Sequence, residues 1–151
     1  MSGFREHITA GIAVGTTYNV VNVFVLETLK TNEYVLIPFA SCAIFSIFPD
    51  IDIKSKASKF FYLVSLVAEI WLFYQNNYLF AAILGIVLII PQLCNHRGIF
   101  HSKIMAISLP VLISILVTSQ GFINNMMAIH VATAGILGYF THLTLDRLVF
   151  H

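Results

Sequence analysis

Six apolar runs, at residues 8–29, 34–48, 60–74, 78–94, 104–119 and 125–149, fill almost the whole chain and leave only short polar breaks between them. The breaks hold most of the Asn, Asp, Lys and Gln residues, so they read as turns between helices. Charged residues make up 10% of the chain and hydrophobic ones 58%. A soluble domain carries roughly a quarter charged residues, and one water-facing fold could not hide this much apolar side chain. The expectation is an all-α, polytopic membrane bundle of about six helices in a single domain spanning 1–151. Several runs fall short of the ~20 residues that a spanning helix needs. One or two are therefore expected to be re-entrant or flanked by a thinned bilayer.

The first run begins close to Met1 but shows no small-residue cleavage site and carries Asn19 and Asn22. It reads as a retained helix rather than a signal peptide. Cys42 and Cys94 lie in or at the ends of apolar runs, with no spacing that suggests a disulfide framework or a thiolate zinc site, and read as packed thiols.

Six passes put all seven candidate ligands on one side. His7 opens the first helix, the second returns to that side at Asp50 and Asp52, the fourth at His96 and His101, and the sixth at His142 and Asp146. The opposite side receives only Glu27, Lys30, Glu33 and the Asn/Gln-rich turns. Arg5, Lys54, Lys56, Lys59, Arg97, Lys103 and Arg147 share the ligand side against Lys30 alone on the other. Positive residues stay inside, so the ligand side and both termini are expected in the cytoplasm.

The local patterns carry the chemistry. His142 and Asp146 are four apart near the end of a helix, so they project from one face about a turn apart and can reach one ion. A hydrogen bond that merely caps the helix would use the same spacing. Gly138 lies one turn before His142, and His7, Gly11 and Gly15 form a matching stripe on the first helix. Packing of the two glycine-bearing faces on each other would bring His7 toward His142. Pro49-Asp50-Ile51-Asp52 ends the second helix, and two carboxylates so close repel unless a cation or several donors neutralise them. His96 and His101 are five apart and share no helical face, so they converge only if the chain turns at Gly98. Ser102 follows as a candidate N-cap, and Arg97 offers a planar cation for a phosphate or carboxylate. Glu69 and His130 stand apart from this group, one within the third run and the other in the far half of the sixth. Trp71, Tyr74 and Tyr78 read as an aromatic belt at the outer interface.

Taken together, His7, Pro49-Asp50-Ile51-Asp52, His96-Arg97-Gly98, His101-Ser102, Gly138-Tyr139, His142 and Asp146 resemble, in order and across almost the whole chain, the motifs of the YdjM-like inner-membrane metal-dependent hydrolases. The resemblance implies a bacterial-type inner-membrane protein with a metal-dependent hydrolase assignment. The chain departs from the usual pattern with Ile53 where a His commonly follows the two aspartates, and with Phe100 where Thr usually precedes the second His.

The donor set supports a compatible chemistry. Histidines and carboxylates without thiolates suit zinc or manganese, with iron also accommodated. Seven candidates exceed the four ligands of a structural zinc, which points to one or two divalent ions, with Asp50 or Asp52 bridging a pair. The expected activity is hydrolysis of a phosphoester, small or lipid-linked, by water that the metal activates. Asp52 or Glu6 would take the proton, and Arg97 would steady the developing charge. The basic residues of the ligand side would draw an anionic substrate or headgroup. The expected partners are the lipid bilayer and that substrate, with no nucleic acid. The alternative is a metal-binding transport or scaffold protein without hydrolase activity.

Overall fold

In an apolar setting the backbone must satisfy its own N–H and C=O groups, and the α-helix does so within one segment. The computed structural model describes residues 4–29, 33–52, 56–93 and 99–149, and among them there are helices and turns but no strand. The α-helices are α1 (Phe4–Val20), α2 (Glu33–Phe45), α3 (Lys56–Tyr74), α4 (Tyr78–Leu93), α5 (Lys103–Ser119) and α6 (Asn125–Val149). A π-helical turn, Val21–Val25, extends α1, and 3-10 turns occupy Phe48–Asp52 and Ile99–His101. The six apolar runs therefore become six helices.

Two helical stretches, Phe4–Val25 and Asn125–Arg147, are long and apolar enough to cross a membrane. The other apolar helices are shorter, as the sequence indicated. On helix surfaces Thr9, Thr16, Thr17, Thr133 and Thr141 each donate to the carbonyl four residues back. Their hydroxyls thus need no water. Ser102 caps α5, its oxygen accepting from the Met105 N–H at 3.1 Å, and Asn124 does the same for α6 through Met127 at 2.8 Å.

The chain divides into two compact units. In the first, α2 packs against α1 and α6, and α5 against α6. Side-chain hydrogen bonds pin these contacts: Asn19 to the Val35 carbonyl (2.8 Å), Ser41 to the Val131 carbonyl (2.8 Å), and the Tyr18 hydroxyl to His130 Nδ1 (2.8 Å). Glycines set the spacing. A Cβ on Gly11 would strike the Ser46 side chain, one on Gly15 would press on Cys42 and Phe39, and one on Gly138 would run into the Cys42 backbone carbonyl. The glycine faces of α1 and α6 are thus seated on α2 rather than on each other, which corrects the pairing expected from the stripes. Gly carries no Cβ, so it permits the approach without choosing the partner.

In the second unit α3 packs on α4. Their joining turn places Asn76 at φ 55°, a left-handed conformation that Asn tolerates, and the Tyr78 hydroxyl donates to Asn76 Oδ1 at 2.8 Å. Trp71, Tyr74 and Tyr78 are exposed around this turn. Glu69 lies against Gly85 of α4, where a Cβ would stand 3.4 Å from its Oε1. Leu63, Leu66, Val67, Ile70 and Phe73 of α3 are all more than half exposed.

Candidate metal centre

Two α-helices and a 3-10 turn bring histidines of the first unit to one carboxylate. His7 sits in the second turn of α1, His142 and Asp146 in the last turns of α6, and His101 closes the 3-10 turn before α5. Asp146 Oδ1 lies 3.3 Å from His7 Nε2. Its Oδ2 lies 3.4 Å from His101 Nε2 and 3.5 Å from His142 Nε2. The His7 and His142 rings stack with centroids 3.9 Å apart and planes 22° from parallel, and the His101 ring meets His142 edge-on at 5.4 Å. His7 and His142 are almost wholly buried, while Asp146 is 19% exposed and opens the group to its surroundings.

The tautomer of His142 follows from its other nitrogen. Nδ1 is 2.9 Å from the Ser46 backbone carbonyl. A carbonyl can only accept, so Nδ1 carries the proton and neutral His142 presents a lone pair at Nε2. That lone pair faces a carboxylate oxygen, itself an acceptor. Two acceptors face each other stably only across a proton or a metal ion, and His101 Nε2 turns to the same oxygen. Protons on every imidazole would stack positive charge on the parallel His7 and His142 rings, whereas one divalent ion neutralises the group at once. A charge-assisted N–H···O⁻ bond spans about 2.7–2.9 Å. Two ligands about 2.0–2.1 Å from a tetrahedral ion stand about 3.3–3.4 Å apart. The observed 3.4 and 3.5 Å are longer than such a bond and close to that ligand spacing. His101, His142 and Asp146 each offer a ligand atom within 4.8 Å of the others and could hold a metal ion.

Local packing explains why these side chains meet. Gly138 and His142 are one turn apart on α6, and Ser46, just past the end of α2, lies one turn beyond Cys42, its N–H donating to the Cys42 carbonyl at 3.0 Å. The glycine contact therefore holds the His142–Ser46 bond in register one turn further on. Beneath it, Phe45, Phe48 and Tyr139 form a buried aromatic layer with centroids 5.9–6.5 Å apart, closing that side to water.

Asp50 lies one residue beyond Pro49 in the 3-10 turn Phe48–Asp52 and is half-buried. Asp52 ends that turn, and its side chain, with His96 and Arg97, lies outside the described residues. His130 is buried but paired with Tyr18 in the opposite half of the unit. Sequence reasoning missed Ser46, which acts through its backbone carbonyl. A main-chain acceptor leaves no mark in residue type.

No curated protein and no solved structure matches the chain. A family model described as YdjM inner membrane protein matches residues 1–149, and the chain therefore belongs to the YdjM inner membrane protein family.

Proposed function

We propose that the chain is a multi-pass inner-membrane metallohydrolase acting on a phosphoester, small or lipid-linked, at the cytoplasmic ends of its helices. The observation that carries the reading is the convergence of three imidazole Nε2 atoms on the Asp146 carboxylate, with His142 locked as a lone-pair donor by Ser46. His101, His142 and Asp146 would hold the ion, and Asp50, just past Pro49, is a further candidate carboxylate from the sequence. Asp146 engages His7 through one oxygen and His101 and His142 through the other. Asp146 and His7 would serve a second ion as well, and Asp52 and His96 are the further candidate ligands that the sequence offers. A bound divalent ion, zinc or manganese, supplies Lewis acidity and makes water nucleophilic near neutral pH.

The chain's own residues do the rest. The aromatic layer of Phe45, Phe48 and Tyr139 keeps the buried side dry, which strengthens every charge interaction within. Arg97 holds a phosphoryl oxygen through its planar fork, and Asp52 or Glu6 accepts the proton. The exposed apolar side chains of the described helices face lipid, and Arg5, Lys59, Lys103 and Arg147 draw anionic headgroups to the cytoplasmic face.

Metal analysis of detergent-purified protein tests the first half of the reading, with one to two transition-metal ions per chain expected and His101→Ala or His142→Ala lowering the content. A panel of phosphomonoesters, phosphodiesters and phospholipids, with metal and with chelator, tests the second. Arg97→Lys should keep the metal and slow turnover, because the charge remains and the bidentate fork is lost. Fully metal-loaded protein that hydrolyses nothing on the panel, yet carries the ion across a liposome membrane, would replace the hydrolase reading with transport.

A further inference from the structure

The seam between α3 and α4 holds a carboxyl group. Glu69 and Phe73 are four residues apart and share one face of α3, while Tyr78, Ala81 and Gly85 share one face of α4. The two faces touch at two levels. Near the outer turn the Phe73 and Tyr78 rings meet edge to face, with centroids 5.8 Å apart. One turn deeper along α3, Glu69 lies against Gly85, and Ala81, between Tyr78 and Gly85 on α4, is buried. The hairpin thus sets an acid beside small residues of α4 and one turn below an aromatic pair.

Glu69 has no counter-charge there. No hydrogen bond or ion pair reaches it among the described residues, and α4 carries no basic residue. Lys59, the nearest basic residue on α3, is ten residues away, about 15 Å along the axis. The carboxyl is also within reach, since Glu69 is half-buried and neither of its oxygens is enclosed. With α3 standing in lipid, as the multi-pass reading has it, a carboxylate left alone is costly. A proton removes that cost, and so does a cation that reaches the same oxygens. A metal ion needs several oxygen ligands, which one carboxyl among Leu66, Ile70 and Phe73, all more than half exposed, does not supply. An organic cation wears its charge inside an apolar shell. Such a body suits the lipid-facing side chains, its charge suits Glu69, and the aromatic rings add cation–π attraction.

We propose that the α3–α4 seam binds a lipophilic organic cation, a quaternary ammonium or phosphonium, with Glu69 as counter-charge and Phe73 and Tyr78 against its body; this rests on the membrane placement of α3 and not on hydrolysis. An anion of the same shape would meet like charge, and a neutral molecule would leave the carboxylate unpaired.

The test uses the full chain in phosphatidylcholine nanodiscs with tetraphenylphosphonium and, as its counterpart of like shape and opposite charge, tetraphenylborate. Equilibrium dialysis reads binding above that of protein-free discs. The wild type is expected to hold the cation and not the anion. Glu69→Gln should weaken the cation about tenfold or more, the scale of a lost charge partner in an apolar setting, and Glu69→Asp should recover part of the loss. Phe73→Leu, which leaves the carboxyl in place, should weaken it about threefold. Wild-type binding no greater than that of empty discs overturns the proposal. So does equal binding of the two probes, or cation binding unchanged in both Glu69→Gln and Phe73→Leu. A reporter at Asn76 found in the cytoplasm would overturn it together with the membrane placement of α3, whereas an outside reporter with no cation bound would overturn the site alone.

Discussion

Gly138→Ala should weaken metal binding without touching any ligand. The added Cβ would stand 2.9 Å from the Cys42 carbonyl carbon and 3.0 Å from its Cα, and nearer still to the oxygen. Ordinary contact begins at 3.4 Å, and these atoms are backbone inside a helix, with no rotamer to yield. Helices α2 and α6 must therefore separate by roughly 0.5–1 Å, an overpacking strain on the order of 1–3 kcal/mol. One turn further along α6, and just past the end of α2, His142 Nδ1 and the Ser46 carbonyl start at 2.9 Å, so the same separation takes them beyond hydrogen-bond reach. His142 then loses the contact that fixes its tautomer and ring orientation. Losses of this kind cost about 10–100-fold in metal affinity. The assay is competition with a chromogenic chelator on detergent-solubilised protein, with gel filtration to confirm that the variant is folded. Gly121→Ala is the control. Gly121 sits in a turn at φ 74° with nothing within 4 Å of a Cβ, so it carries backbone strain of about 1–2 kcal/mol and leaves the metal untouched. Wild-type affinity in folded Gly138→Ala would refute the coupling between the glycine contact and the site. An equal loss in Gly121→Ala would show that general instability, and not register, controls the metal.

Asp146→Asn should lower metal content and activity together, because the amide keeps the shape but removes the charge that His7, His101 and His142 surround; metal content equal to wild type on elemental analysis would contradict this. His130→Ala should leave metal content unchanged but destabilise the fold by about 1 kcal/mol, because it removes a hydrogen bond to the half-buried Tyr18 hydroxyl; chelator competition and denaturant titration separate the two effects. Reporter fusions at Ser2 and His151 should both report cytoplasm and one at Asn76 the outside, and opposite locations for the two termini would refute an even number of crossings.

The six helices were legible because apolar runs and polar breaks state directly where a chain may leave an apolar medium. Ser102 declared itself as a cap by its place before an apolar run, and the four-residue spacing of His142 and Asp146 gave their shared face. The partner of the glycine faces was not legible. Gly11, Gly15 and Gly138 announce a close approach but not what approaches, and only the fold shows that α2 lies against both faces. The role of Ser46 was hidden for a different reason, since any residue there would present the same carbonyl. The π-helical turn at Val21–Val25 leaves the apolar pattern unbroken, so hydropathy reads straight through it.

The helices that meet at the metal centre are the first and the last of the six. A ribosome delivers α1 well before α6, and domains form as their parts emerge. Until α6 arrives, α2 has only one of the two glycine faces that clasp it, and His7 has neither its stacking ring nor its carboxylate. A nascent chain released early would carry His7 and His101 without Asp146 and should not assemble the ion-binding group. Metal loading would therefore report that α6 has been made and inserted, and a copy released before it would lack the ion-binding group.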